Sequence, residues 1–296
     1  MTQLTQSTQS SAHTAIEQEA LRSKRRAMAR KIIFGTLRYL LILLVVVIFM
    51  FPVVWMALAA FQRQIDIISP GWGFEPTLRN FENVFGEYNF LRFMWNSFVV
   101  ATFSTLLSLL LGLPGAYAIA RFHYDWLGMV LLAARIVPGI TFLVPWYILF
   151  SRIGLNGTYE ALILSHMLVS MPFIVWVMVP FFEGLPVEIE ESARIDGATM
   201  LGTFVRIALP LAVPAIVTAT IMSFIFSWNN FMFSLVLSGD DTRTLPVAIF
   251  NFMTYASIDW GGLMAAAVLI TLPVLIITIF MQRYIVSGLT AGAVKG

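Results

Sequence analysis

Five carboxylates, Glu183, Glu188, Glu190, Glu191 and Asp196, stand against two guanidinium groups, Arg194 and Arg206, within residues 183–209. That balance does not suit nucleic acid, whose phosphates require clustered cations, or an anionic lipid surface. It suits a cleft in another protein. The chain has no cysteine, which removes thiol catalysis, disulfides and thiolate metal sites. Its three lysines, Lys24, Lys31 and Lys295, lie outside any G-x-x-x-x-G-K-[ST] phosphate cradle. The chemistry legible in this loop is recognition of a partner without bond breaking, with a solvated acidic connection whose small residues merely permit packing as the alternative.

The stretch LPVEIEESARIDGATMLGTFVRIALP, Leu185 to Pro210, also carries its own folding signals. Pro186 suits a helix's first turn, and Glu188, Glu190 and Glu191 suit the positive end of its dipole. Glu190 and Arg194 are spaced as an i,i+4 pair, and Gly197 can end the helix, which is expected from Val187 to about Asp196. Thr199 can cap a second helical segment running through Phe204, Ile207 and Leu209 to Pro210. A bent pair of helices is predicted.

Elsewhere the reactive groups are sparse. Arg135 falls inside an apolar run just before Pro138, where an unpaired guanidinium facing lipid is expensive. It is read either as a clamp on backbone carbonyls or a partner chain, or as a pathway group that binds a polar or anionic sugar. His166 is read as a helix contact, and no second His or Cys joins it to hold a metal. Asn96 and the run Trp228, Asn229 and Asn230 are further pathway candidates, with helix-end packing as the alternative for the run.

These groups must be positioned by elements that live in hydrocarbon. The 296 residues are 59% apolar and 11% charged, and the charges avoid long runs of roughly 20 residues, enough to cross ~30 Å of lipid. Six runs emerge, at about 39–61, 93–120, 127–150, 160–182, 209–236 and 260–281. No Asp or Glu lies deep in any of them. The first is too long for a cleaved signal peptide and is read as a retained span, preceded by a polar start without fixed structure. Pro52, Pro114, Pro138, Pro145, Pro172, Pro210, Pro214 and Pro273 should bend the spans.

Placing both ends inside puts Arg22, Lys24, Arg25, Arg26, Arg30, Lys31, Arg38, Arg121, Arg194, Arg206, Arg283 and Lys295 in the cytoplasm. Only Arg63, Arg79, Arg92, Arg152 and Arg243 fall outside. Tyr39, Trp126 and Tyr284 then mark inner boundaries, and Trp95, Tyr159 and Trp260 outer ones. The two longer outer segments, about 62–92 and 237–259, can meet an extracytoplasmic partner.

Glu191-Ser192-Ala193, Gly197, Ile207 and Leu209-Pro210 resemble the EAA motif of ABC-importer permeases, with Ser192 in place of the middle alanine. Pro186, Glu188, Asp196, Gly197 and Ala198, with the ending from Gly288 to Gly296, resemble the MalG-type carbohydrate branch over about residues 30–296. The resemblance implies an all-α membrane protein of six transmembrane helices with the type I ABC importer permease fold. It implies a coupling helix that docks on a separate ATPase through Glu188, Glu191, Ser192, Ala193, Asp196, Gly197 and Ala198. The implied partners are a second homologous permease chain, an ATPase dimer that binds ATP and Mg, an extracytoplasmic solute-binding protein, a sugar substrate and membrane lipid. No nucleic acid is expected, no cofactor in this chain and no enzymatic activity of its own, in a bacterial cytoplasmic membrane.

The domain reading is a polar and basic segment at 1–30, a first span and outer loop at 31–90, a permease core at 91–283 containing the coupling loop 183–209, and a tail at 284–296. The alternative is an ion-coupled secondary transporter or a channel for a small polar solute, which usually needs carboxylates within its spans. The topology is directly testable, because a single cysteine near Glu188 should react only from the cytoplasm and one near Asp240 only from outside. Labelling of both from one side rules out the six-span arrangement.

Overall fold

The computed structural model describes residues 2–69, 71, 73, 75–254 and 257–291, with side chains at 28 and from 30 to 281. Contacts divide the chain into two units, residues 1–58 and 59–296. The first belongs to helix α1 (Thr2–Ala60), which runs back through the polar start that was expected to lack fixed structure. The reason is local. Ala, Leu, Gln, Glu, Lys and Arg dominate residues 12–32, and no Gly or Pro interrupts before Gly35. From Ile32 to Leu58 the large apolar side chains of α1 are mostly exposed, a surface that suits hydrocarbon.

The second unit begins at the far end, opposite the acidic loop, with short helices α2 (Gln64–Ile68) and α3 (Arg79–Gly86). Polar side chains tie this cap together. Asn80 donates to the Ala60 and Gln62 carbonyls, each at 2.8 Å. Gln64 donates to the Ile258 carbonyl and accepts from the Trp260 amide, joining the first outer segment to the start of the last helix.

The centre is the pairing of α4 (Phe90–Phe122) with α7 (Tyr159–Glu183). Ser97, Ala101, Ser104, Ser108, Gly112, Ala116 and Ala120 repeat at helical spacing along α4 and are buried. Small side chains let membrane helices approach closely, and dispersion then replaces the hydrophobic force that lipid does not supply. Gly112 marks a close approach, since a Cβ there would sit 3.2 Å from Ile174 Cγ2.

Two of the six apolar runs are broken. The third, expected as one span over 127–150, forms α5 (Asp125–Ile136), a 3-10 turn at Gly139–Phe142 and α6 (Leu143–Arg152), bent by 90°. Val137 precedes Pro138 and is extended, as the proline ring requires of its neighbour. In the fifth, α9 (Met200–Thr203), a π turn at Phe204–Ala208 and α10 (Leu209–Leu211) meet α11 (Val213–Trp228) at 78°. Pro214 has no N–H to offer the carbonyl four residues back, so the helix turns there.

The fifth run was expected to continue to residue 236, but α11 stops at Trp228. Asn230 Oδ1 accepts from the Phe233 amide and starts a separate helix, α12 (Met232–Leu237). After α13 (Leu245–Ala248), α14 (Trp260–Ala291) closes the unit through Pro273. Among the described residues four helices are long and apolar enough to cross a membrane, and the number is six when each bent pair is counted as one span.

The tightness at Gly112 gives a graded test. Gly112→Ala should assemble with a small loss, because Ile174 needs to move by only a few tenths of an ångström. Gly112→Leu should cost about 1–3 kcal/mol through overpacking. Thermal unfolding in detergent measures the difference, and equal midpoints for both variants would show that α4 and α7 do not need this close approach.

Candidate functional site: an acidic loop and an arginine-lined cavity

Pro186 initiates α8 (Val187–Ile195), in accord with its fixed φ, and Glu188 and Glu190 lie in the first turn. The helix ends in a Schellman motif. The Gly197 amide bonds the Arg194 carbonyl at 3.0 Å, the Ala198 amide bonds the Ala193 carbonyl at 2.9 Å, and Gly197 holds φ at +89°. Thr199 then accepts from the Gly202 amide at 3.1 Å and caps α9, so the bent pair forms as its signals direct.

Of the coupling candidates, Glu188, Glu191, Ser192, Asp196 and Gly197 are exposed, while Ala193 and Ala198 are half-buried. Beside them Ile195 is 86% exposed and Leu201 70% exposed, two apolar side chains presented along with the carboxylates. Ser192 spends its hydroxyl on the Glu188 carbonyl one turn back and leaves the carboxylates free.

The i,i+4 pairing of Glu190 with Arg194 does not form. Glu190 turns inward and is only 2% exposed. Arg121 donates to its Oε1 through Nε at 3.0 Å and Nη2 at 2.6 Å, and the Tyr117 hydroxyl donates to Oε2 at 2.6 Å. A second bond from Arg121 Nη2 reaches the Leu185 carbonyl at 3.3 Å. The buried position wins because a guanidinium and a phenol together satisfy both carboxylate oxygens, which exposed Arg194 does not.

Around the carboxylate the Tyr117 ring packs against Phe182 at the end of α7 and Phe204 in the π turn. One cluster thus joins α4, α7, α8 and the entry to α11. Burial by itself pushes the Glu190 carboxyl up, but hydrogen bonds from Arg121 and Tyr117 and the charge of Arg121 outweigh it and hold the group below its usual 4.5. The only sequence signal for this anchor was Tyr117 and Arg121, four residues apart on one face at the end of the second run.

The pathway candidates are dispersed. Asn96 is buried and clamps the far end, donating to the Asp241 and Arg243 carbonyls at 2.9 and 2.8 Å and accepting from the Tyr159 hydroxyl at 2.6 Å. Trp228 is buried too, and its indole donates to the Ile270 carbonyl at 3.1 Å. Asn229 bonds the Ile225 carbonyl, and Asn230 caps α12. His166 is fully buried and meets the Ser227 hydroxyl at 2.7 Å, a helix contact between α7 and α11.

Arg135 differs from these. It lies in the last turn of α5 at the 90° break, with its guanidinium 5.1 Å from the ring centres of both Phe173 and Trp176. It lines a cavity of about 250 Å³ with Val169, Ser170, Phe173, Met222, Ser223 and Phe226.

The anchor predicts an asymmetry. Arg121→Met, which strands a buried carboxylate, should loosen the loop more than Arg121→Met combined with Glu190→Met, which removes the charge as well. Because the folded Glu190 pKa is depressed, its contribution should be complete above 4.5 and disappear as pH falls through the lower folded value. Protease cleavage within residues 183–209 reports both effects. A double variant cleaved as fast as the single one would contradict the charge argument.

A family described as the binding-protein-dependent transport system inner membrane component matches residues 104–291. A probable ABC transporter permease of Sinorhizobium fredii, y4oR, is 37% identical over 84% of this chain and 91% of its own length. The trehalose/maltose transport system permease MalG of Thermococcus litoralis is 33% identical over 86% of this chain and 94% of its own. Among solved structures, a bacterial ABC transporter that imports alginate aligns with a TM-score of 0.73 at 20% identity, covering 85% of this chain and 96% of that one. Its level of identity speaks for the fold, whereas the sequence matches speak for descent. The chain belongs to the binding-protein-dependent transport system inner membrane component family, as a permease subunit of an ABC transporter.

Proposed function

We propose that this chain forms half of the translocation pathway of an ATP-driven carbohydrate importer and passes the movement of a separate ATPase into its own spans. The observation that carries this reading is the 183–209 loop. It presents exposed carboxylates and the apolar pair Ile195 and Leu201 outward, and is fastened inward to α4 by the Glu190, Arg121 and Tyr117 contacts. A docked partner that pulls on α8 therefore pulls on α4 and, through Phe182 and Phe204, on α7 and the segment entering α11. The carbohydrate part rests on relatives such as the trehalose/maltose permease.

A second homologous permease completes the pathway, two ATPase subunits hold ATP and Mg beneath it, and a solute-binding protein delivers sugar from outside. Nucleotide binding closes the ATPase pair and turns the pathway outward, and hydrolysis resets it. In this reading nucleotide binding and hydrolysis belong to the ATPase pair. Both ends of this chain lie on the cytoplasmic side in this reading, which the distribution of basic residues supports. Ion-coupled transport is not retained, since Glu190 is the one buried carboxylate among the described residues and it is committed to the anchor.

Titrating the cognate binding protein against neutral and acidic sugars tests the substrate class, and a protein that takes no sugar ends the carbohydrate reading. The coupling role has its own test. Gly197→Val places a branched side chain at φ +89°, with strain of about 1–3 kcal/mol but no neighbour within 4 Å to clash with. Glu191→Lys reverses an outward charge. Both should insert normally, lose uptake and retain less ATPase on purification; normal uptake with normal retention in both would remove the loop from the mechanism.

A further inference from the structure

The cavity between α5, α7 and α11 has an unusual charge balance. Arg135 is cationic at the break of a span, and among the described residues no carboxylate lies within ion-pair distance of it. Its neighbours are the faces of Phe173 and Trp176, which attract a cation but do not neutralise it. Two hydroxyls on the wall, Ser170 Oγ and Ser223 Oγ, are buried without any hydrogen-bond partner. Serines in membrane helices ordinarily bond a carbonyl one turn back, as Thr218, Thr220 and Thr271 do here for the same reason. Leaving two hydroxyls unsatisfied in one cavity is costly unless something else enters it, and the exposed Arg135 side chain stands at its edge without a counter-charge.

We propose that this cavity is a transient binding site for an acidic sugar unit, with Arg135 as the residue that selects its carboxylate or sulfonate. This deepens the carbohydrate-permease reading and rests on it. The guanidinium fork offers two parallel N–H donors to two oxygens of a carboxylate or a sulfonate. Phe173 and Phe226 offer faces to the apolar side of a pyranose ring, and Ser170 and Ser223 can rotate one staggered position to meet its hydroxyls. At about 250 Å³ the cavity falls just below the roughly 300–1,000 Å³ of drug-sized sites, which suits one sugar unit. A neutral sugar would satisfy the hydroxyls and leave the charge unmet. Selectivity for the anion is the consequence.

The absence of cysteine from this chain makes Met222→Cys its single reporter on the cavity wall, at a position with no part in the proposed contacts. In the complete reconstituted transporter, the rate of maleimide labelling at this position is measured with methyl β-D-glucuronide or methyl β-D-glucoside. The glucuronide should slow labelling about tenfold more than the glucoside, the scale of a charge-assisted contact. Adding Arg135→Gln should abolish the difference. Equal protection by both glycosides, protection by neither, or a difference unchanged in Arg135→Gln overturns the proposal.

If Arg135→Gln does not assemble, Arg135→Lys carries the test, because it keeps the charge and loses the paired donors. Undiminished glucuronide protection there also overturns it. Failure of the broader reading is separate, since that depends on whether the binding protein takes any sugar at all.

Discussion

A carboxylate buried against the end of α4 decides how the functional loop of this permease is attached. Glu190 leaves the acidic face of α8 and enters a pocket made by Arg121 and Tyr117 of α4. Such a pair adds little net stability, because desolvation offsets much of the attraction. What it adds is specificity. An acid in an apolar cleft is tolerated in one geometry only, so α8 is fixed in rotation and depth against α4. The outward residues Glu188, Glu191 and Ile195 owe their presentation to the inward one.

From that anchor the remaining architecture follows through packing of small residues. The buried Ser, Gly and Ala stripe of α4 lets α7 lie close along it, and the aromatic cluster of Tyr117, Phe182 and Phe204 links the lower ends of both helices to the loop. At the far end Asn96, Gln64 and Asn80 use their amides to close irregular backbone that lipid cannot solvate. Proline breaks at 138 and 214 then open space between α5, α7 and α11. Bends and cavity share a cause, since a helix that turns by 90° cannot cover its neighbour along its whole length.

Several site residues divide by what their polar atoms do. Asn96 and Trp228 spend theirs within the chain on backbone carbonyls, and so serve the scaffold. Arg135, Ser170 and Ser223 leave theirs unspent around one cavity. Residue type does not separate the two groups, because an asparagine and an arginine in apolar runs look equally functional in one dimension.

The sequence alone determined what depends on local signals and on solvent. Uncharged runs of membrane length set the all-helical class and the number of spans. Pro186, Gly197 and Thr199 set the bent loop, since φ preference and capping act within a few residues. It also marked Arg135 as anomalous. Tertiary structure decided what depends on contacts between distant segments. Glu190 found Arg121 and Tyr117, about 70 residues earlier, in place of Arg194 one turn away, because burial rewards full satisfaction of both oxygens and spacing along a helix does not. Only the packing of three separate spans could bring Arg135 to the same cavity as two unpartnered serines.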